Sequence, residues 1–140
     1  KFTGDGYLVT FGLRDYSEAA TMNAIQCALK IRDHIAMYNE LRPENLKEPI
    51  GFGIGITTGE VFAGNIGNVH KLEYTILGDA VNLSARLEAM TKRAHVDVLL
   101  DQTTRRIAGD KIAVKRLRTT AIRGKSEPVE IFFLAGLKST

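Results

Sequence analysis

Cysteine is nearly absent from this sequence. Cys27 is the single thiol in 140 residues, which rules out a disulfide framework or a cysteine-built zinc cluster within one chain and suits a reducing, cytoplasmic setting. No apolar run approaches the roughly 20 residues that cross a bilayer, and no leader of the signal-peptide type opens the chain. The domain itself is therefore not expected to touch a membrane, whatever anchors a longer parent. Also missing are low-complexity tracts, internal repeats and blocks of like charge. Nineteen Lys and Arg residues against sixteen Asp and Glu give a net charge of +3. The basic residues are scattered, and the strands lack aromatics interleaved with a basic cluster, which argues against a nucleic-acid-binding module. A mild preference for polyanionic ligands is all that the charge implies.

What is present reads as one ordinary globular domain. Hydrophobic residues make up 44% of the chain and charged residues 25%, and a chain of this length buries roughly two-thirds of its unfolded surface. The first residue is Lys1 rather than methionine and falls inside a strand-like segment. The expectation is an excerpt, with residues 1–140 forming an N-terminally truncated domain.

Short β-type segments at residues 1–3 and 7–11 flank Gly4-Asp5-Gly6, a tight turn with a carboxylate at its tip. Residues 17–39 carry the longest helical signal, with Ser17 as cap, Ala20, Ala24, Ala28, Ile31, Ile35 and Tyr38 along the expected packing stripe, and Cys27 in apolar company. Residues 42–49, with two prolines, read as a loop. Glycine alternates with larger residues over 50–57, which suits a central strand close to a neighbouring backbone. Gly51, Gly53 and Gly55 are not followed by the Lys-Ser/Thr of a Walker A loop. Residues 61–63 read as a return strand and 64–72 as a loop carrying His70 and Lys71. Residues 96–100 form a continuous apolar strand, Asp101 caps a short helix ending near Gly109, residues 111–117 alternate, and 119–123 pairs with 129–134 as a terminal hairpin. Strands alternating with helices predict an α/β or α+β class with a ferredoxin-like βαβ core.

The chemistry concentrates in residues 74–88, YTILGDAVNLSARLE. Tyr74, Thr75, Ile76 and Leu77 read as a buried strand ending at Gly78, and Asp79 stands where a helix N-cap belongs. The helix that follows places Ala80, Leu83, Leu87 and Met90 on one apolar stripe, and Asn82 and Arg86, four apart, on another flank. An amide and a guanidinium there suit a sugar hydroxyl and a phosphate; the plainer alternative is a pair of solvated helix residues. For Asp5 the choice is between an ordinary turn residue and a ligand for Mg²⁺, which takes one or two carboxylates plus phosphate oxygens.

Three separated motifs resemble, in order, those of the class III nucleotidyl cyclases, the family of adenylyl and guanylyl cyclases. KFTGDGYLVTFG resembles the family's metal-binding hairpin, FGIGITTGEVFAGNIGNVHKLEYTILGDAVNLSARLEAMTK its core signature, and IRGKSEPVEIFFL its closing strands. The resemblance covers nearly the whole chain and implies that family's catalytic domain, incomplete at the N-terminus. The implied reaction is cyclisation of a nucleoside triphosphate: the ribose 3′-hydroxyl attacks the α-phosphorus and pyrophosphate leaves, with a pair of metal ions clamping the reacting oxygens.

By the same resemblance Asp5 would bind two Mg²⁺ or Mn²⁺ ions, Asn82 would orient the ribose, and Arg86 would stabilise charge on the α-phosphate. Arg123, where the family often has lysine, would hold the terminal phosphates. From their place in the 64–72 loop, apart from the resemblance, either Lys71 or His70 could reach a triphosphate, the plainer alternative being an ordinary surface charge. Lys1 and Thr75 match the purine-reading pair. An ammonium offers only donors, which suits the bare N1 of adenine and opposes the N1–H of guanine, while a threonine hydroxyl accepts from the adenine amino group. ATP is therefore favoured over GTP, and the pair resembles the subgroup that includes bicarbonate-responsive enzymes.

Departures from the family pattern also matter. The family's other metal aspartate lies on a strand upstream of the hairpin that this chain does not contain. The family works as a head-to-tail dimer, in which Asp5 of one subunit would face Lys1, Thr75, Asn82 and Arg86 of the other. The expectation is an adenylate cyclase domain for intracellular signalling, acting as a homodimer or as a pseudo-heterodimer with another cyclase domain, and inactive as a single chain. The alternatives are a guanylate cyclase and a degenerate cyclase-like domain that binds nucleotide and regulates a partner. Retention of Asp5, Asn82 and Arg86 together argues against the last.

Overall fold

The computed structural model describes residues 2–3, 5–44, 48–68, 70–117 and 129–139. In chain order the elements are β1 (Phe2–Thr3), β2 (Gly6–Tyr7), α1 (Glu18–Leu41), β3 (Ile54–Ile56), β4 (Phe62–Asn68), β5 (Lys71–Leu77), α2 (Asp79–Ala94), β6 (Val98–Asp101), α3 (Gln102–Ala108), β7 (Ile112–Arg116) and β8 (Ile131–Leu137).

All four residues of β6 are buried, and because side chains alternate along a strand, both of its faces need cover. Val98 and Leu100 pack with Ile25 and Ala28 of α1, Ala108 of α3 and Leu134 of β8. Leu99 turns the other way, to Leu83 and Leu87 of α2 and to Ile131. Around β6 runs a four-stranded mixed sheet in the order β3-β6-β8-β7, with β3 and β6 parallel and the other pairs antiparallel. The chain between β3 and β6 includes α2, so these elements form the expected crossover unit of an α/β fold.

The glycines before and within β3 have a packing reason: α2 lies directly on this backbone. A Cβ on Gly55 would collide with the Ser84 carbonyl oxygen and stand 2.7 Å from the Glu88 amide nitrogen, and one on Gly53 would collide with the Thr91 hydroxyl. The sequence reading makes this a central strand. Among the described residues β3 is instead an edge of the four-stranded sheet, and the backbone it approaches belongs to a helix.

Other segments also differ from the sequence reading. Residues 64–72, rich in Gly and Asn, are not a loop: β4 continues to Asn68 and β5 begins at Lys71, paired antiparallel from Phe62↔Leu77 to Asn68↔Lys71. Cross-strand pairing outweighs local composition there. Helix α1 follows Ser17 as expected, but its buried residues are Ala20, Thr21, Ile25 and Ala28. Ile31 and Tyr38 are 39% and 50% exposed, and Cys27 is exposed. A 24-residue helix is about 36 Å long, well beyond the roughly 23 Å that seven strand residues span, so its C-terminal half outruns the sheet. Asp79 opens α2 rather than capping it. Gly78 is the N-cap, with φ of 151°, and a Cβ there would lie 3.0 Å from the Glu60 carbonyl oxygen, so glycine suits this turn for two reasons. Finally, β8 is paired along both edges, with β6 and β7; the other arm of the expected terminal hairpin, 119–123, lies outside the described residues.

Candidate active site

Helix α2 sets the geometry. Leu83, Leu87 and Thr91 are buried, which leaves Asn82 exposed and Arg86 half-buried on the remaining flank. Four residues apart, the two sit about 6 Å from each other along the axis. The Asn82 backbone N–H donates to the Gly78 carbonyl at 3.1 Å, closing the first turn, so its side chain emerges where β5 hands over to α2. Thr75 lies on β5, half-buried and opposite Gly64 of β4. Thr75 and Asn82 thus flank the Gly78 turn, with Arg86 one turn further along. Among the described residues no hydrogen bond or ion pair engages the Asn82 amide, the Arg86 guanidinium or the Asp5 carboxylate.

Asp5 is exposed at the tip of the β1–β2 hairpin, whose register pairs Phe2 with Tyr7 and Thr3 with Gly6. Among the described residues that hairpin pairs with no other strand, and Asp5 and the α2 pair stand on different elements. Lys1 and Arg123 lie outside the described residues. Lys71 opens β5 opposite Asn68, at the turn end of the β4–β5 hairpin, and its side chain is outside what is described. No helix of the described residues is long and apolar enough to cross a membrane.

Among the described residues no group of three or more His, Cys, Asp or Glu side chains is placed to hold a metal ion. One exposed carboxylate on a hairpin fits a Mg²⁺ that keeps its waters and takes its other oxygens from a triphosphate; it does not fit a self-contained metal centre. A groove of about 470 Å³ runs along α1 past Cys27, Lys30, Ile31 and His34, on a different element from every site residue named above.

The sequence reading missed one part of this region. The Thr57 hydroxyl donates to the Ala80 carbonyl at 2.6 Å, and the Thr58 and Thr104 hydroxyls share a hydrogen bond of 2.8 Å. Thr104 also belongs to the cap that the sequence reading expects: buried Asp101 accepts from the Thr104 N–H at 3.0 Å. Burial pushes its carboxyl above the ordinary value of 3.8, opposed by hydrogen bonds from Thr104 and from the Thr58 backbone. The only sequence signal was Thr-Thr-Gly after the glycine-rich strand, which reads as a plain turn.

The fold is that of the class III nucleotidyl cyclase catalytic domain. Residues 1–136 match the model of the adenylate and guanylate cyclase catalytic domain, and the chain belongs to that family. The terminal-differentiation-specific adenylate cyclase of Dictyostelium discoideum is 30% identical over 142 residues, covering 94% of this chain. The chain spans 6% of that relative's length. Among solved structures, the guanylyl cyclase Cya2 superposes with a TM-score of 0.83 at 32% identity, over 99% of this chain and 69% of that one. The adenylyl cyclase CyaB from P. aeruginosa does so with a TM-score of 0.77 at 26% identity, over 89% and 64%.

Proposed function

We propose that this chain is the catalytic part of an adenylate cyclase that converts ATP to 3′,5′-cyclic AMP and pyrophosphate at the seam between two cyclase domains. The observation that carries it is the Asn82–Arg86 pair: one turn apart, held by buried Leu83 and Leu87, with polar ends unengaged among the described residues. The Dictyostelium relative is itself an adenylate cyclase by name.

In the reaction a bond forms from the ribose 3′-oxygen to the α-phosphorus while the bond from that phosphorus to the bridging oxygen breaks. The 3′-hydroxyl loses its proton, and pyrophosphate leaves with the bonding pair. Asn82 holds the ribose so that the 3′-oxygen lines up behind the breaking bond. Arg86 donates to the α-phosphate oxygens as negative charge grows there. Lys1 and Thr75 read the purine, and Arg123 and Lys71 hold the terminal phosphates. Asp5 of the facing domain would hold Mg²⁺ or Mn²⁺; when bound, such ions acidify the 3′-hydroxyl and neutralise the phosphates.

Two features support a paired arrangement, as a homodimer or with a related cyclase domain. Asp5 and the α2 pair stand on different elements, and Phe62, Ile66 and Leu77, which share one face of the β4–β5 hairpin, are 45–60% exposed, an apolar surface suited to cover by a partner. The likeness to the guanylyl cyclase Cya2 favours GTP as the second reading. Assaying the full-length parent with ATP and with GTP decides between them. A preference for ATP is expected; a preference for GTP makes the protein a guanylate cyclase, and nucleotide binding without cyclic product makes it a regulatory domain.

A further inference from the structure

β3 ends at Ile56, and the residues after it are wedged between the starts of two helices. Towards α2, the Thr57 hydroxyl holds the Ala80 carbonyl at 2.6 Å. Gly59 lies so close that a Cβ on it would stand 2.9 Å from the Ala80 Cβ, and the Glu60 carbonyl oxygen faces Gly78. Towards α3, the Thr58 hydroxyl shares a hydrogen bond of 2.8 Å with that of Thr104. Thr104 is fully buried, so the α3 side is a fixed anchor.

We propose that Thr57 is a positioning residue, one that fixes the first turn of α2 against that anchor and thereby aims Asn82. The inference rests on the cyclase reading above. The Ala80 carbonyl already accepts an intrahelical N–H in α-helix geometry, so the Thr57 hydroxyl uses its second lone pair. Removing the hydroxyl leaves that acceptor satisfied and costs little stability. What is lost is sideways restraint on the turn. Asn82 follows Ala80 by two residues and closes the same turn on Gly78, so any shift of Ala80 carries Asn82 with it. In a reaction run by alignment, a misplacement of about 1 Å costs on the order of a hundredfold, so a fraction of that shift is enough to measure.

The test uses the full-length protein with Asn82→Ala as reference. Thr57→Val keeps the shape without the donor, and Thr57→Ser keeps the donor. Thr57→Val should lose roughly tenfold in kcat, with KM for ATP within about twofold and an almost unchanged melting temperature. Thr57→Ser should recover most of the loss. Gly59→Ala, which pushes the connection off Ala80, should reproduce the drop in kcat. A Thr57→Val enzyme with wild-type kcat, or a Thr57→Ser enzyme as slow as Thr57→Val, overturns the positioning role and leaves the cyclase reading standing on the loss in Asn82→Ala. No cyclic nucleotide from the wild type would instead bring down the cyclase reading and this inference together.

Discussion

Arg86 is half-buried on α2, and its planar guanidinium suits a phosphate. Arg86→Ala in the complete enzyme should lower kcat by about a hundredfold and leave ATP binding nearly unchanged, as expected for a contact that strengthens in the transition state. Steady-state kinetics beside equilibrium nucleotide binding tests this, and an undiminished kcat would make Arg86 a surface residue. Asp101 makes a prediction of a different kind. Its carboxyl is raised above 3.8 in the folded chain by burial, so the folded state holds that proton more tightly than the unfolded state does. Its contribution to stability is therefore full at low pH and declines as pH rises from about 3.8 through the raised value. Asp101→Asn should flatten this decline, read as denaturant midpoints at stepped pH. An unaltered slope would mean that the Thr58 and Thr104 hydrogen bonds cancel the burial.

At the scale of elements, the contact between α2 and β3 aims the site helix, and it depends on missing side chains. Gly55→Ala drives a Cβ into the Ser84 carbonyl and the Glu88 amide, backbone atoms that cannot rotate away. A loss of roughly 1–3 kcal/mol is expected from overpacking of this kind. Gly51→Ala is the control, because a Cβ there meets nothing within 4 Å; its effect should stay within about 0.5 kcal/mol. Equal effects in urea denaturation would refute the close contact. A second fastening lies where β6 begins. Arg32 of α1 donates to both carboxylate oxygens of Asp97, at 2.8 and 2.7 Å, and to the carbonyls of Ala135 and Leu134 at 2.9 and 2.6 Å. It ties α1 to the β8 end and to the turn between α2 and β6. These ties hold the scaffold rather than the chemistry.

For the whole molecule, the proposed function has a second domain complete each site, with Asp5 of one domain facing Asn82 and Arg86 of the other. If so, mixing Asp5→Ala with Arg86→Ala chains should restore activity that neither has alone. A mixed pair carries both defects at one site and none at the other, so free exchange of subunits should give roughly a quarter of the wild-type rate. Failure of the mixture to recover any activity, with exchange confirmed by labelled subunits, would place the whole site within one chain. The closeness of Asn82 to Arg86, the buried stripe of α2, the crossover class and the Asp101 cap could all be read from spacing, because each depends on neighbours within a helical turn or a strand's alternation. Tertiary structure alone decided which stripe of α1 is buried, that Gly- and Asn-rich residues continue β4, that β8 lies between β6 and β7, and that Thr57 holds Ala80 across 23 positions. The physical reason is that such pairings depend on what lies opposite in space, and local periodicity carries no information about a partner far along the chain.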